Sequence, residues 1–218
     1  MGFPVNGAIE TIHLPGQVRY ADAYAAMTER RAAVEAGQAA NALFLLEHAP
    51  VITLGRNAHA SNLLLSEEEY AARGIEVHIA DRGGDVTYHG PGQLVAYPVL
   101  QLNEWRLSIR GYLRALEEVM IRLLAAYELP GERVDRLTGV WVRGAKVAAI
   151  GVGLRHGVTY HGVALNVAPD MEHFSLIVPC GIANKPVTSL AQLVPSPPSL
   201  DEIACQFDRS FRAVFAAT

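Results

Sequence analysis

Residues 82–93 read RGGDVTYHGPGQ, the densest gathering of chemically capable side chains in the chain. Gly83, Gly84, Gly90 and Gly92 carry no Cβ, admit positive φ and let a ligand come close to the backbone. Between them stand Arg82, a rigid fork of donors, and His89, which can donate or accept. A segment built only to join two strands needs few such groups. The string reads as a loop and strand that hold a polar head group against exposed backbone, in preference to a glycine-rich hairpin with one satisfied histidine.

Two other residues could carry covalent chemistry. Cys180 sits in Ile177-Val178-Pro179-Cys180-Gly181-Ile182, where proline and glycine set a turn at the end of an apolar stretch. A turn can aim a side chain into a cavity, although a free cysteine is more often a small core thiol. Cys205, inside the last helical segment, fits the core reading better. Lys146 opens the otherwise apolar strand Lys146-Val147-Ala148-Ala149-Ile150-Gly151, and strict alternation puts it on the face of Ala148 and Ile150. It either snorkels at the strand end or is partly buried for proton transfer, and pattern alone favours snorkelling.

Other constellations are weaker. His89, His161 and Cys180 could ligate zinc, but no C-x-x-C or H-E-x-x-H spacing joins them. GVGLRHG at 151–157 departs from G-x-G-x-x-G and leads into a strand, so it is not a dinucleotide loop. Arg106, Arg110 and Arg114 recur every fourth residue, as a solvated face or as a docking face for an acidic protein. Val-Thr-Tyr-His-Gly occurs at 86–90 and again at 158–162, too short an echo to define a repeat.

The elements that must position these residues follow from patterning. Strands are expected at 7–14 (closed by Pro15-Gly16), 42–47, 51–54, 75–79, 94–100, 139–142, 146–154 and 158–167. Helices are expected from Tyr20 to Ala36, from a Ser66/Glu69 capping box to Gly74, from Ser108 to Tyr127, at 188–193, and from Ser199 to about Ala216. Leu113, Leu116, Met120, Leu123 and Leu124 form the buried stripe of the helix after Ser108. Short turns between the last three long strands make them antiparallel neighbours. A mixed or antiparallel sheet is therefore favoured over a doubly wound one.

Composition bounds the function. Of 218 residues, half are hydrophobic and 18% are charged, which supports a sizeable core in one domain. A net charge of −4 argues against a nucleic-acid binder that relies on bulk positive charge. No apolar run approaches the ~20 residues of a membrane helix, and MGFPVNGAIETIHLPG lacks the basic and apolar regions of a signal peptide. With only Cys180 and Cys205, a disulfide framework is excluded and a reducing cytoplasm is expected.

Four separated blocks, RGGDVTYHGPGQLVAYP, GVWVRGAKVAAIG, TYHGVALNV and IVPCGI, resemble the lipoyl(octanoyl) transferases in order and spacing. VITLGRNA at 51–58, with Asn62-Leu63-Leu64 after it, extends the likeness toward the N-terminus. The resemblance implies one catalytic domain over residues 1–218. It also implies an α/β (α+β) fold of a mixed, largely antiparallel sheet flanked by helices, that of the biotin/lipoate protein ligase catalytic domain. It implies transfer of an octanoyl group from octanoyl-acyl carrier protein to a lysine of lipoyl domains. Those domains belong to 2-oxoacid dehydrogenases and the glycine cleavage H protein, and the transfer is the first step of endogenous protein lipoylation.

By the same resemblance, Cys180 is the acyl-thioester nucleophile, and Lys146 is the partner that favours its thiolate and moves protons. Substrate binding falls to Arg82, Gly83, Gly84, Asp85, Val86, Thr87, Tyr88 and His89, to Ala149, Ile150 and Gly151, and to Gly162, Val163 and Ala164. No metal, ATP or other cofactor is implied. Ala145 departs from the basic residue many members carry before the lysine. An ATP-dependent lipoate or biotin ligase is the competing reading. Against it, His89 is followed by Gly-Pro-Gly-Gln, unlike the His-Asp element of lipoate ligases, and Cys180 has no task in an adenylate mechanism. A non-catalytic acyl- or lipoyl-domain-binding protein would have no need of the Lys146 and Cys180 pair.

Overall fold

A computed structural model describes residues 8–178 and 186–216; Gly7 and Cys180, with its neighbours Pro179 and Gly181, lie outside the described residues. Period-two patterning gives the main sheet two apolar faces. In β2 (Asn41–His48), Leu43 and Leu45 enter one core while Ala42, Phe44 and Leu46 enter another. β6 (Gln93–Val99) repeats this with Leu94 and Ala96 against Val95, Tyr97 and Val99. These strands lie within a six-stranded sheet ordered β1-β2-β6-β9-β8-β7. Its other members are β1 (Ile9–Val18), β7 (Val140–Val142), β8 (Ala145–Arg155) and β9 (Val158–Asn166). Only β1 and β2 run parallel; every other pair in this sheet is antiparallel.

A three-stranded sheet, ordered β4-β3-β5, is built from β3 (Val51–Leu54), β4 (Glu76–Ile79) and β5 (Val86–His89). β3 pairs parallel with β4 and antiparallel with β5. The nonlocal β1–β2 pairing and the division into two sheets were not legible from turn lengths. The antiparallel β7–β8–β9 succession was.

α1 (Tyr20–Glu35) covers one face of the large sheet with Ala23, Met27 and Val34. α3 (Ile109–Ala125) and α5 (Leu200–Ala216) pack on the other. Ser108 caps α3 by accepting from the Gly111 N–H at 3.1 Å. α2 (Glu67–Ala71) starts on the expected box: Ser66 Oγ accepts from the Glu69 N–H at 3.3 Å, and the Ser66 N–H donates to the Glu69 carboxylate at 2.8 Å. Among the described residues, no helix is long and apolar enough to cross a membrane.

Several expectations change. β1 continues through Pro15-Gly16 to Val18, its register slipping between His13 and Gln17. Only Leu190–Leu193 (α4) is helical near 188. On α3, Tyr112 and Val119 complete the buried stripe, while Leu113 lies half-buried at its rim. Cys205 is exposed, not a core thiol. Ile203 and Phe207 face inward, and a residue midway between them on a 3.6-residue turn must face out. Arg114 pairs with the buried Glu117 at 2.6 Å, which also receives Arg133 at 3.1 Å. Arg114 is therefore ion-paired within the fold while its side chain stays about half exposed.

Candidate active site

Between the α1 face of the large sheet and the small sheet lies a cavity of about 360 Å³, within the range of small-molecule sites. The three stretches selected from the sequence meet there. Arg82, Gly83, Gly84, Asp85, Val86, Thr87 and His89 form one wall, and Ala149, Ile150, Gly151, Gly162, Val163 and Ala164 form another. Lys146 joins them. Tyr88 does not. Alternation along β5 turns it away, its ring packing edge-on to Phe174 and its hydroxyl meeting His173 Nδ1 at 2.8 Å. The close approach of the two walls needs Gly151: a Cβ there would stand 2.9 Å from the Gly83 carbonyl oxygen.

Lys146 reaches the cavity because β8 is irregular. Val140 pairs with Ala148 but Trp141 pairs with Lys146, so Val147 is an extra residue bulged out of register. Such a bulge re-aims neighbouring side chains. Val147 and Ala148 both enter the core under α3 and α5, while Lys146 shares the cavity face with Ala149 and Gly151. The expected face was therefore wrong by one residue of register. The ammonium lies 5.1 Å from the Trp141 ring centroid, a cation–π distance. Gly139, at φ 136°, makes room for the stem; a Cβ there would stand 2.6 Å from Lys146 Cε.

Both ends of the described chain around Cys180 are anchored beside this site. Before it, the Val178 N–H donates to the Asn62 carbonyl at 2.9 Å, and Asn62 Nδ2 donates to the Asp85 carboxylate at 2.8 Å. After it, the Lys146 N–H donates to the Pro186 carbonyl at 2.8 Å, and the Thr188 N–H donates to the Lys146 carbonyl at 2.9 Å. Asp85 and Asn62 thus support one anchor, and Lys146 itself forms the other.

Arg82 is structural as well as cavity-lining. Its Nη2 donates to the Thr53 carbonyl at 2.7 Å and to Thr53 Oγ1 at 2.8 Å, which ties the loop to β3. Around it stand three buried histidines. His48 Nδ1 donates to the Val18 carbonyl at 3.0 Å, so its Nε2 accepts from the Tyr97 hydroxyl at 2.7 Å. Burial pushes His48 down to about 4 and His89 down to about 3, the neighbouring imidazole adding to the effect on His89. Burial holds the Tyr97 phenol well above its ordinary range.

His161 lies in β9 at φ 56°, a left-handed conformation rare for a residue with a Cβ. Its Nε2 donates to Asp81 at 2.8 Å. That bond is the main reason the Asp81 carboxyl falls to about 2, while burial holds the imidazole below its usual range despite the carboxylate. Asp81 thus stays ionised beside a neutral His161.

Sequence reasoning passed over Tyr20, Thr53, Tyr97 and Trp141 as cavity residues, and weighed His161 only as a zinc ligand or as a structural or substrate-facing histidine. His161 had a signal, the second Val-Thr-Tyr-His-Gly. Thr53 lies in the VITLGRNA block, whereas Tyr20 comes from a distant element and had none.

The chain matches the model of the lipoyl protein ligase A/B catalytic domain over residues 19–212. It therefore belongs to that family. It is 50% identical over 209 residues to the octanoyltransferase of Chloroflexus aurantiacus (strain ATCC 29366 / DSM 635 / J-10-fl), covering 94% of each chain. It is 48% identical over 200 residues to that of Solibacter usitatus (strain Ellin6076), covering 92% of this chain and 90% of the relative. Within the family it is an octanoyltransferase, an acyl-transferring enzyme. Its fold is shared with a lipoate-protein ligase A solved with ATP, at TM-score 0.74 and 17% identity over 97% of this chain and 86% of that one. It is shared more distantly with the biotin protein ligase of Aquifex aeolicus, at TM-score 0.57 and 13% identity over 95% and 70%.

Proposed function

We propose that the whole chain acts in the cytoplasm as one catalytic domain. It takes octanoyl from octanoyl-acyl carrier protein onto Cys180 and passes it to the target lysine of lipoyl domains, including those of 2-oxoacid dehydrogenases and the glycine cleavage H protein. The observation that carries this reading is the meeting of Lys146 with the two glycine-rich walls in one cavity, beside both anchors of the chain that bears Cys180.

An ordinary thiol is only a few per cent ionised at neutral pH, and an ammonium nearby favours the thiolate. A more acidic thiol is also a weaker nucleophile, so ionisation alone gives a small gain. Orientation, and donors to the tetrahedral oxyanion, supply most of the rate. The Cys180 thiolate attacks the octanoyl carbonyl, an S–C bond forms, and the carrier sulfur leaves with a proton from Lys146. The now neutral Lys146 accepts a proton as the target amine attacks the new thioester. Cys180 departs as thiolate beside the restored ammonium, and an amide is left. Thioester exchange is nearly balanced and amide formation runs downhill, so no ATP enters. Val95, Ile150, Val163 and Ala164 offer apolar surface for the acyl chain.

Intact mass spectrometry after treatment with octanoyl-carrier, without ATP, tests this. The wild type should gain one hydroxylamine-sensitive octanoyl adduct that Cys180→Ala lacks, and Lys146→Ala should slow both adduct formation and its transfer. A wild type that stays unmodified, or that modifies a lipoyl domain only with ATP, overturns the reading in favour of a ligase.

A further inference from the structure

Buried side-chain amides are ambiguous in orientation unless something fixes them. Here the row Asn166–Gln93–His89 is fixed by backbone carbonyls, which can only accept. Asn166, on β9, donates from Nδ2 to the Thr188 carbonyl at 2.9 Å. Its Oδ1 must then face its cross-strand partner Gln93 on β6. Gln93 Nε2 donates to that oxygen at 2.9 Å and to the Tyr88 carbonyl at 3.3 Å, which uses both of its protons. Gln93 Oε1 is left facing His89 Nδ1 at 2.6 Å. An oxygen in that position requires a proton on Nδ1. A neutral imidazole protonated at Nδ1 carries a bare lone pair on Nε2. The whole row is buried, Gln93 at 2% and Asn166 at 4% exposure, while His89 lines the cavity.

We propose that Gln93 and Asn166 are positioning residues that lock His89 in the Nδ1-protonated tautomer, so that Nε2 is a hydrogen-bond acceptor for the attacking amine of the acceptor lysine. The inference rests on the proposed transfer of an acyl group to an amine. A bare lone pair repels an oxyanion, so His89 is not a donor to the tetrahedral intermediate. The reacting atoms of a thioester offer no N–H either. The amine that enters in the second half-reaction does. Accepting one of its N–H bonds turns the nitrogen lone pair toward the acyl carbon, while its proton goes to Lys146. The low proton affinity that burial gives His89 keeps the imidazole neutral throughout. The row also ends where Lys146 is held, because Thr188 accepts from Asn166 and donates to the Lys146 carbonyl. One line of hydrogen bonds therefore sets both the group that orients the amine and the strand that carries its base.

Two measurements test this. Long-range ¹H–¹⁵N spectra of histidine-labelled wild-type protein should show His89 protonated at Nδ1 and bare at Nε2; the reverse pattern overturns the proposal without any substitution. Single-turnover kinetics should then separate the half-reactions. Gln93→Met, which leaves the Asn166–Thr188–Lys146 bonds in place, should form the octanoyl thioester within about threefold of wild type, yet transfer it to a lipoyl domain about tenfold more slowly. Gln93→Met should also lose the His89 Nδ1 signature. Equal slowing of both half-reactions, or undiminished transfer, overturns the proposal. A wild type that forms no thioester counts against the proposed function and leaves the tautomer measurement standing.

Discussion

At the scale of single residues, the site is a set of imidazoles kept neutral inside a protein of ordinary charge. His48 and His89 ionise near 4 and 3 in the folded state, against an ordinary value near 6.5 in an unfolded chain. The unfolded chain takes up these protons first, so the stability they contribute is complete above about pH 6.5 and is lost as pH falls toward the folded values. Asp81, lowered to about 2, adds a second loss below the ordinary carboxylate range. Each of the two histidines should cost about 2 kcal/mol by pH 5. The urea midpoint is therefore expected to drop clearly between pH 7 and pH 5; equal midpoints would contradict the buried neutral assignment. These partners were beyond sequence reasoning, since only packing reveals which histidine is dry. The motif blocks did single out Arg82, His89 and Lys146, which line one cavity. Tyr88 shared the motif but not the direction, because neighbours in a strand face opposite ways.

At the scale of elements, the strand that carries Lys146 was recognised but its face was not. Alternation fails wherever a bulge intervenes, and a single extra Val147 has no mark in the sequence. The capped helices were legible because their caps are local. The β1–β2 pairing was not, because a parallel contact between distant segments leaves no turn to read. Gly139 is the sharpest dependence at this scale. Gly139→Ala places a Cβ 2.6 Å from Lys146 Cε and 2.7 Å from the Ala148 carbonyl oxygen, at a φ of 136°. It is expected to cost roughly 1–3 kcal/mol of stability and to slow thioester formation. Thermal melting and single-turnover acylation would register both, and a variant with wild-type acylation would show that the lysine stem is not constrained there.

At the scale of the whole molecule, the cavity proposed to bind the acyl chain lies between two sheets and is lined on its apolar side by small and branched residues. Each methylene of an acyl chain buried there is worth ~0.8 kcal/mol. Hexanoyl donors should therefore react about fifteenfold less efficiently than octanoyl donors in kcat/KM. A difference below twofold would place the chain outside the cavity. The small sheet has a second consequence, one of leverage. Tyr70, fully buried on α2, donates its hydroxyl to the Leu176 carbonyl at 2.7 Å and receives the Leu64 N–H at 3.2 Å. It therefore clamps residues 176–178, which lead toward the proposed nucleophile Cys180, against the small sheet, while residues 186–188 are bonded to Lys146 on the large one. Any slippage of one sheet over the other would shift residues 176–178 relative to residues 186–188. Tyr70→Phe, which removes only a hydroxyl bonded to the Leu64 N–H and the Leu176 carbonyl, should lower kcat several-fold at unchanged KM and cost about 1 kcal/mol of stability.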